Sequence, residues 1–344
     1  MPRIAVDRLT RLVGGILVAA GVPSEKASLT AEALVASNLR GVDSHGVQLL
    51  TWYVDQLLAG EMNPHAEGRV VSENGSCLQF DGQNGIGQCV ADTCCKHAIR
   101  LAREHGLGMV SARESNHFGA AAWWAMKMRD AGQIGVVMCN ASPIVPPWQG
   151  KRGRLGTNPI CMALPGPWLL DMATTTVAAG KIFKAKINGQ PEIPPGWAFN
   201  SEGEPTTRTE EAYKGLLMPL GGYKGSGLAM MVEILCGVLS GGAMADEVGA
   251  IRVRGKKVRT SQMFLAIDIA RFMPVDEFTA RMEHLVDVIK GTPAAPGYNE
   301  VLVAGDPEWR IEAERLAKGI PIEDGNWETL CKTAERVGLE RPVE

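Results

Sequence analysis

Apolar residues recur at three- and four-residue spacing near both ends of this chain, while its middle holds short apolar runs bounded by turn residues. That division limits the fold more than any other feature, because helical stripes and strands bury their apolar faces at different periods. Leu9, Leu12, Val13, Ile16 and Leu17 predict a helix over residues 6–18, ended by Gly21. Pro23 and Ser24 open a second to about residue 40, with Ser24 as N-cap and Gly41 taking the left-handed turn. Leu49, Leu50, Tyr53, Val54, Leu57 and Leu58 mark a third, so His45 falls near a helix start. The runs at 77–80, 108–111, 134–139, 160–164 and 263–267 predict strands, and 87–104, 120–131, 228–240, 275–290 and 306–318 predict helices. Asp306 is the expected N-cap of the last, with Pro307 at its first helical position. An α+β architecture follows, its two ends packed together in one helical domain.

With 344 residues, 45% apolar and 21% charged, the chain has the composition of a globular protein of enzyme size. Its 35 basic residues against 38 acidic ones leave a net charge of −3, so nucleic acid is not an expected partner. The densest basic run, Arg252, Arg254, Lys256, Lys257 and Arg259, alternates as an exposed strand or hairpin would, and the expectation is a solvated face, with contact to a ligand phosphate the minority reading. Eight cysteines without a Cys-x-x-Cys, and no leader at the start, predict reduced thiols in the cytoplasm. The longest apolar stretch, 228–239, falls short of the roughly 18 residues that a membrane helix needs, so no membrane partner is expected.

No Rossmann fingerprint is present: Gly106-Leu107-Gly108 follows a helix, and Gly85-Ile86-Gly87 lacks the third glycine. Gly221-Gly222-Tyr223-Lys224-Gly225-Ser226-Gly227 runs into a helix, which suits either an anion under free N–H groups or a tight turn with no ligand. In Asp43-Ser44-His45-Gly46, Asp43 or Ser44 is expected to cap the following helix. A helix start lowers the proton affinity of His45 and Asp43 raises it, which would poise the ring near neutral pH, although a lone loop histidine is more often structural. Ser115-Asn116-His117-Phe118-Gly119, Gly156-Thr157-Asn158-Pro159 and residues 171–176 put polar groups at strand ends. Cys94 and His97 lack a second pair to complete a zinc set, so Cys94 is expected in the core. A serine hydrolase has no Gly-x-Ser-x-Gly elbow to rest on.

Taken in order, these motifs with Pro219-Leu220-Gly221-Gly222-Tyr223-Lys224-Gly225 resemble the malate/L-lactate dehydrogenase family that is unrelated to Rossmann lactate dehydrogenases. Its members include sulfolactate and ureidoglycolate dehydrogenases, diketogulonate reductase and cyclic-imine carboxylate reductases. The resemblance implies a non-Rossmann nicotinamide-binding domain with a mixed or antiparallel sheet at 111–289. It further implies a helical substrate and dimerisation domain from 1–110 and 290–344, and a homodimer. The implied reaction moves hydride between NAD or NADP and a small 2-oxo acid, 2-hydroxy acid or cyclic imino acid. In that reading His45 gives and takes the proton with Ser44 beside it, and His117 is a second active-site histidine. Asp171, Met172, Ala173, Thr174, Thr175, Thr176, Lys224, Gly225, Gly305 and Asp306 would hold the dinucleotide, and Leu49, Tyr53, Thr157 and Asn158 would meet substrate. Leu49 stands where the family commonly has an arginine that clamps a carboxylate; Asn200 and Arg208 replace aspartates, and Trp123-Trp124 is a further departure. These differences argue against malate itself. A member that binds dinucleotide without turnover is the alternative, with a serine- or histidine-dependent hydrolase a remote second.

Overall fold

The structure is a computed structural model that describes residues 1–343. Strand β1 (Arg3–Ile4) leads into helices α1 (Val6–Ala19) and α2 (Ser24–Leu39), then two 3-10 turns at Asp43–His45 and Val47–Leu49, then α3 (Leu50–Leu58). The α1 stripe of Leu9, Val13, Ile16 and Leu17 is fully buried against α2, each side chain contributing about 1.5–3 kcal/mol. Next come β2 (Arg69–Asn74), β3 (Cys77–Asp81), α4 (Gly87–His105), β4 (Leu107–Ser115), α5 (Ala121–Asp130), β5 (Gln133–Cys139), β6 (Ile160–Ala163) and β7 (Leu169–Met172). A smaller lobe follows: α6 (Ala179–Ile187), β8 (Ala198–Phe199), β9 (Pro205–Thr206), α7 (Thr209–Lys214), β10 (Leu216–Leu217) and α8 (Tyr223–Glu233). The chain then forms β11 (Thr260–Asp268), α9 (Val275–Lys290), α10 (Asp306–Lys318), β12 (Ile320–Pro321) and α11 (Asp324–Arg336).

Seven strands make one mixed sheet in the order β2-β3-β4-β11-β5-β6-β7. Only β3 and β4 run parallel, joined through α4 as a crossover requires; every other pair is antiparallel. Helices α4 and α5 cover one face, and Val136, Met138 and Met263 on the other pack against Val232 and Cys236. Central strands covered on both sides explain the unbroken apolar runs of β5 and β11. At the opposite end, β1 pairs with β12 and stitches the two termini into the core built from α1, α2, α3 and α11.

Several local expectations need correcting. Ser24 is the first residue of α2 and caps nothing, since Pro23 holds the N-cap position. Asp306 does not cap α10 either: Gly305 is the N-cap, while the Asp306 carboxylate turns back to accept the Val303 N–H at 3.0 Å and the Lys290 ammonium at 3.1 Å. Helix α8 begins at Tyr223, ahead of the expected start, and passes at Ile234–Val238 into a π-helical turn. The basic run forms no strand or hairpin but an irregular loop before β11. The domain edge expected near residue 110 falls inside β4.

Candidate active site

His45 owes its position to contacts from both ends of the chain. Gly46, between the two 3-10 turns, lies so close to Asn38 that a Cβ would sit 2.1 Å from its Oδ1. That oxygen accepts the Val47 N–H at 2.7 Å, and the Asn38 Nδ2 donates to Asp43 at 2.6 Å. From α10, Arg315 grips the same Asp43 carboxylate through two bonds of 2.6 and 3.0 Å. Neither Asp43 nor Ser44 caps a helix. With its charge spent on Arg315 and Asn38, Asp43 does not raise the His45 proton affinity as expected. Burial, and then the Arg252 guanidinium, push the imidazole down to about 4. Ser44 Oγ is 3.0 Å from His45 Nδ1.

His117 follows β4, where the buried Asn116 amide anchors the chain by donating to the carbonyls of Gly85 and Asn84 at 2.8 and 3.1 Å. Its ring stacks on His45 with centroids 5.7 Å apart and planes 22° apart. A relay of donors ends on it: Gln88 Nε2 donates to the Tyr53 hydroxyl at 2.9 Å, and Tyr53 Oη lies 2.7 Å from His117 Nδ1. The Gly119 N–H also donates to Nδ1, at 3.3 Å. Because Nδ1 accepts from this backbone N–H, the neutral ring carries its proton on Nε2. Burial, His45 and Arg252 hold His117 down at about 3, which keeps it neutral.

These groups line a cavity of about 720 Å³, within the ordinary range for ligand pockets. Farther along it, Asp171 is open to the cavity but walled in by protein, and this desolvation raises its carboxyl to about 6. Its Oδ2 accepts the Ala122 N–H in the first turn of α5 at 2.9 Å. Three helix starts open on the cavity: Ala120 to Ala122 of α5, Ala178 to Gly180 of α6, and Gly305 with Pro307 and Glu308 of α10. Apart from the Ala122 N–H, which Asp171 takes, and Pro307, which has none, the N–H groups of these first turns favour an anionic ligand. Arg40 also lines it, stacked 4.0 Å over Trp309 and paired with Glu312 at 3.0 Å.

Of the residues singled out from sequence, Ser44, His45, Leu49, His117, Thr157, Asp171, Ala173 and Gly305 line the cavity. Met172, Thr174, Thr175, Thr176, Lys224, Gly225 and Asp306 are not in its wall. The hydroxyls of Thr174 and Thr175 are spent on the carbonyls of Thr157 and Val177. Gly225 serves close packing, since a Cβ there would meet Leu220 N at 2.3 Å and Thr174 O at 2.6 Å. Tyr53 stands behind His117 instead of facing a substrate, and the buried Asn158 amide is consumed by the Ala141 N–H, the Ala229 carbonyl and Glu233. Trp124 turns into the core and donates to the Phe118 carbonyl at 2.9 Å. Sequence reasoning missed Arg40 and the start of α6, for which no motif stands out. It assigned Arg252 to a solvated run, although that residue reaches the cavity wall.

Residues 4–331 match the family model described as malate/L-lactate dehydrogenase. A malate dehydrogenase from Pyrococcus horikoshii is 40% identical over 349 residues, covering 98% of this chain and 96% of that one. Its solved structure superposes with a TM-score of 0.92 at 39% identity, over 99% of this chain and 97% of that one. An L-sulfolactate dehydrogenase from Methanocaldococcus jannaschii is 35% identical over 96% of this chain and 95% of that one. The crystal structure of delta1-piperideine-2-carboxylate reductase from Pseudomonas syringae pvar. tomato gives a TM-score of 0.87 at 28% identity, over 97% and 100% of the two chains.

Proposed function

The chain belongs to the malate/L-lactate dehydrogenase family, and from that membership we propose how its own residues carry out the reaction. It is a nicotinamide-dependent dehydrogenase or reductase of small 2-hydroxy and 2-oxo acids or cyclic imino acids. The cavity suits a dinucleotide, because three helix starts in its wall favour a diphosphate. Gly180 shows how closely that wall is drawn in, for a Cβ there would lie 3.1 Å from Ser44 Cβ. Asp171, Ala173, Gly305 and the first turns of α5, α6 and α10 would hold it. When bound, NAD or NADP accepts or supplies the hydride.

His45 takes the hydroxyl proton during oxidation and returns it during reduction. Its neutral form, favoured by burial, is already competent as the base. Ser44 fixes the ring through Nδ1, and His117 offers its Nε2–H to the substrate oxygen or nitrogen, with Thr157 as a further polar contact. The observation that carries this reading is the stacked histidine pair held by the Gln88 to Tyr53 to His117 relay on the wall of one cavity. We also propose a homodimer, supported by the exposed apolar row of Met230, Ile234 and Val238 along α8 and its π-helical continuation. Eight free cysteines fit a reducing cytoplasm. No helix among the described residues is long and apolar enough to cross a membrane. The test follows absorbance of the reduced nicotinamide with NADH and NADPH against a panel of 2-oxo acids and cyclic imino acids. Turnover of at least one is expected, and none on any compound would overturn the proposal.

A further inference from the structure

Arg252 sets the charge around both histidines, yet it has no partner of its own. Of its neighbours in the basic run, Arg254 binds Asp55 at 2.6 Å and Arg259 binds Glu114 at 2.7 Å, and none of the four, Lys256 and Lys257 included, is in the cavity wall. Among the described residues no carboxylate lies within 4 Å of Arg252 and no hydrogen bond involves its guanidinium, which rests 5.3 Å from the Phe183 ring. The backbone around it is fixed. The Ile251 carbonyl accepts from Gln56 at 3.2 Å, the Gly249 carbonyl accepts from Ser142 at 3.0 Å, and the Gly249 N–H reaches the Val258 carbonyl at 2.8 Å. Ile251 packs on the core of the N-terminal helices. A cation pinned at a cavity wall without a counter-ion leaves its charge available to an incoming anion.

The start of α3 supplies no such charge, since the apolar Leu49 is the residue that it places in the cavity wall. Resting on the hydride-transfer reading, we propose that Arg252 binds the carboxylate of the substrate. The cation thus approaches from the loop before β11 instead of from the start of α3. A planar guanidinium can take both oxygens of a 2-oxo or imino carboxylate, directing the adjacent carbon toward His45 and His117. Partial suppression of both imidazole charges by Arg252 is the reciprocal sign of its nearness. Arg40, the other cation of the wall, gives one nitrogen to Glu312 and leaves Nε and Nη2 without partners, but its charge acts on Asp171 and not on either histidine.

Oxamate, an unreactive analogue of a 2-oxo acid, is the probe. Isothermal titration of the wild type, Arg252→Gln and Arg252→Lys in the presence of cofactor reads binding without turnover. Arg252→Gln should weaken oxamate on the order of 100-fold, Arg252→Lys should recover part of that loss, and cofactor affinity should stay within about twofold. With a turned-over acid the loss should fall on KM more than kcat, and the acid limb of kcat/KM should move to higher pH as the positive charge is removed. Unaltered oxamate affinity in a folded Arg252→Gln protein would overturn the inference, as would a loss confined to NADPH, which would assign Arg252 to a cofactor phosphate. Lack of turnover in the wild type, with oxamate binding still dependent on Arg252, would sink the proposed reaction and leave this assignment standing.

Discussion

At one end of the cavity stand two histidines and Arg252, at the other the first turns of three helices with Asp171 and Arg40. His45, His117 and Arg252 are held by loops and by a relay of hydroxyl and amide groups, whereas the Asp171 end is walled by the first turns of α5, α6 and α10. Backbone N–H groups recognise an anion whatever the side chains are, so that end suits a ligand shared by a whole family. A side chain can be exchanged by one substitution, so the reacting end can be rebuilt without disturbing the other.

The largest effect that would sharpen this contrast is expected from His45→Ala. Loss of the proton carrier should lower kcat on the order of 1000-fold while the cofactor dissociation constant, read by fluorescence titration, stays within about twofold. An equal fall in cofactor affinity would erase the distinction between the ends. Tyr53→Phe removes the hydroxyl that serves His117 Nδ1 and should lower kcat roughly 10- to 100-fold with little change in melting temperature. Retention of full kcat would mean that the Gly119 N–H alone is enough to hold the His117 ring. At the other end, Asp171→Ala leaves the Ala122 N–H without its acceptor. About a 10-fold weaker cofactor dissociation constant is expected, measured by cofactor-dependent thermal shift, with kcat at saturation nearly kept.

The smallest effect is on stability against pH, and the two ends act with opposite sign. His45 and His117, at about 4 and 3 when folded against 6.5 unfolded, bind protons more readily in the unfolded chain. Their contribution is present above pH 6.5 and is lost as pH falls toward 4. Asp171, raised from 3.8 to about 6, is most favourable protonated, and its contribution is lost as pH rises through about 6. Melting temperature should therefore fall less between pH 6.5 and 4 in the wild type than in Asp171→Asn, which lacks the opposing group. Identical slopes would show that Asp171 is not desolvated.

Long, regular segments were legible before any coordinates. Helix α9 spans Val275–Lys290 and α10 spans Asp306–Lys318, as apolar spacing and the proline near the start of α10 predict. The missing fingerprint argued against a Rossmann unit, whereas the non-Rossmann mixed sheet was implied by the family resemblance. Caps were less legible, since Asp306 has the right chemistry but turns toward Val303 and Lys290, partners that spacing does not reveal. Alternation in the basic run suggested a strand because charge pattern alone does not report that Arg254 and Arg259 seek carboxylates on different elements. The glycine-rich segment before α8 looked equally suited to phosphate or to close packing, and Gly225 touches Leu220 and Thr174 backbone. The stacking of His45 on His117 depends on tertiary closure between α2 and β4, which no local pattern encodes.

The clamp of Arg315 on Asp43 has a consequence for how the molecule comes into being. During synthesis the histidine-bearing turn leaves the ribosome long before α10 does, so the nascent chain must carry an unset reaction centre until its final portion emerges. A message cut short before Arg315 would encode every strand of the seven-stranded sheet but no working enzyme.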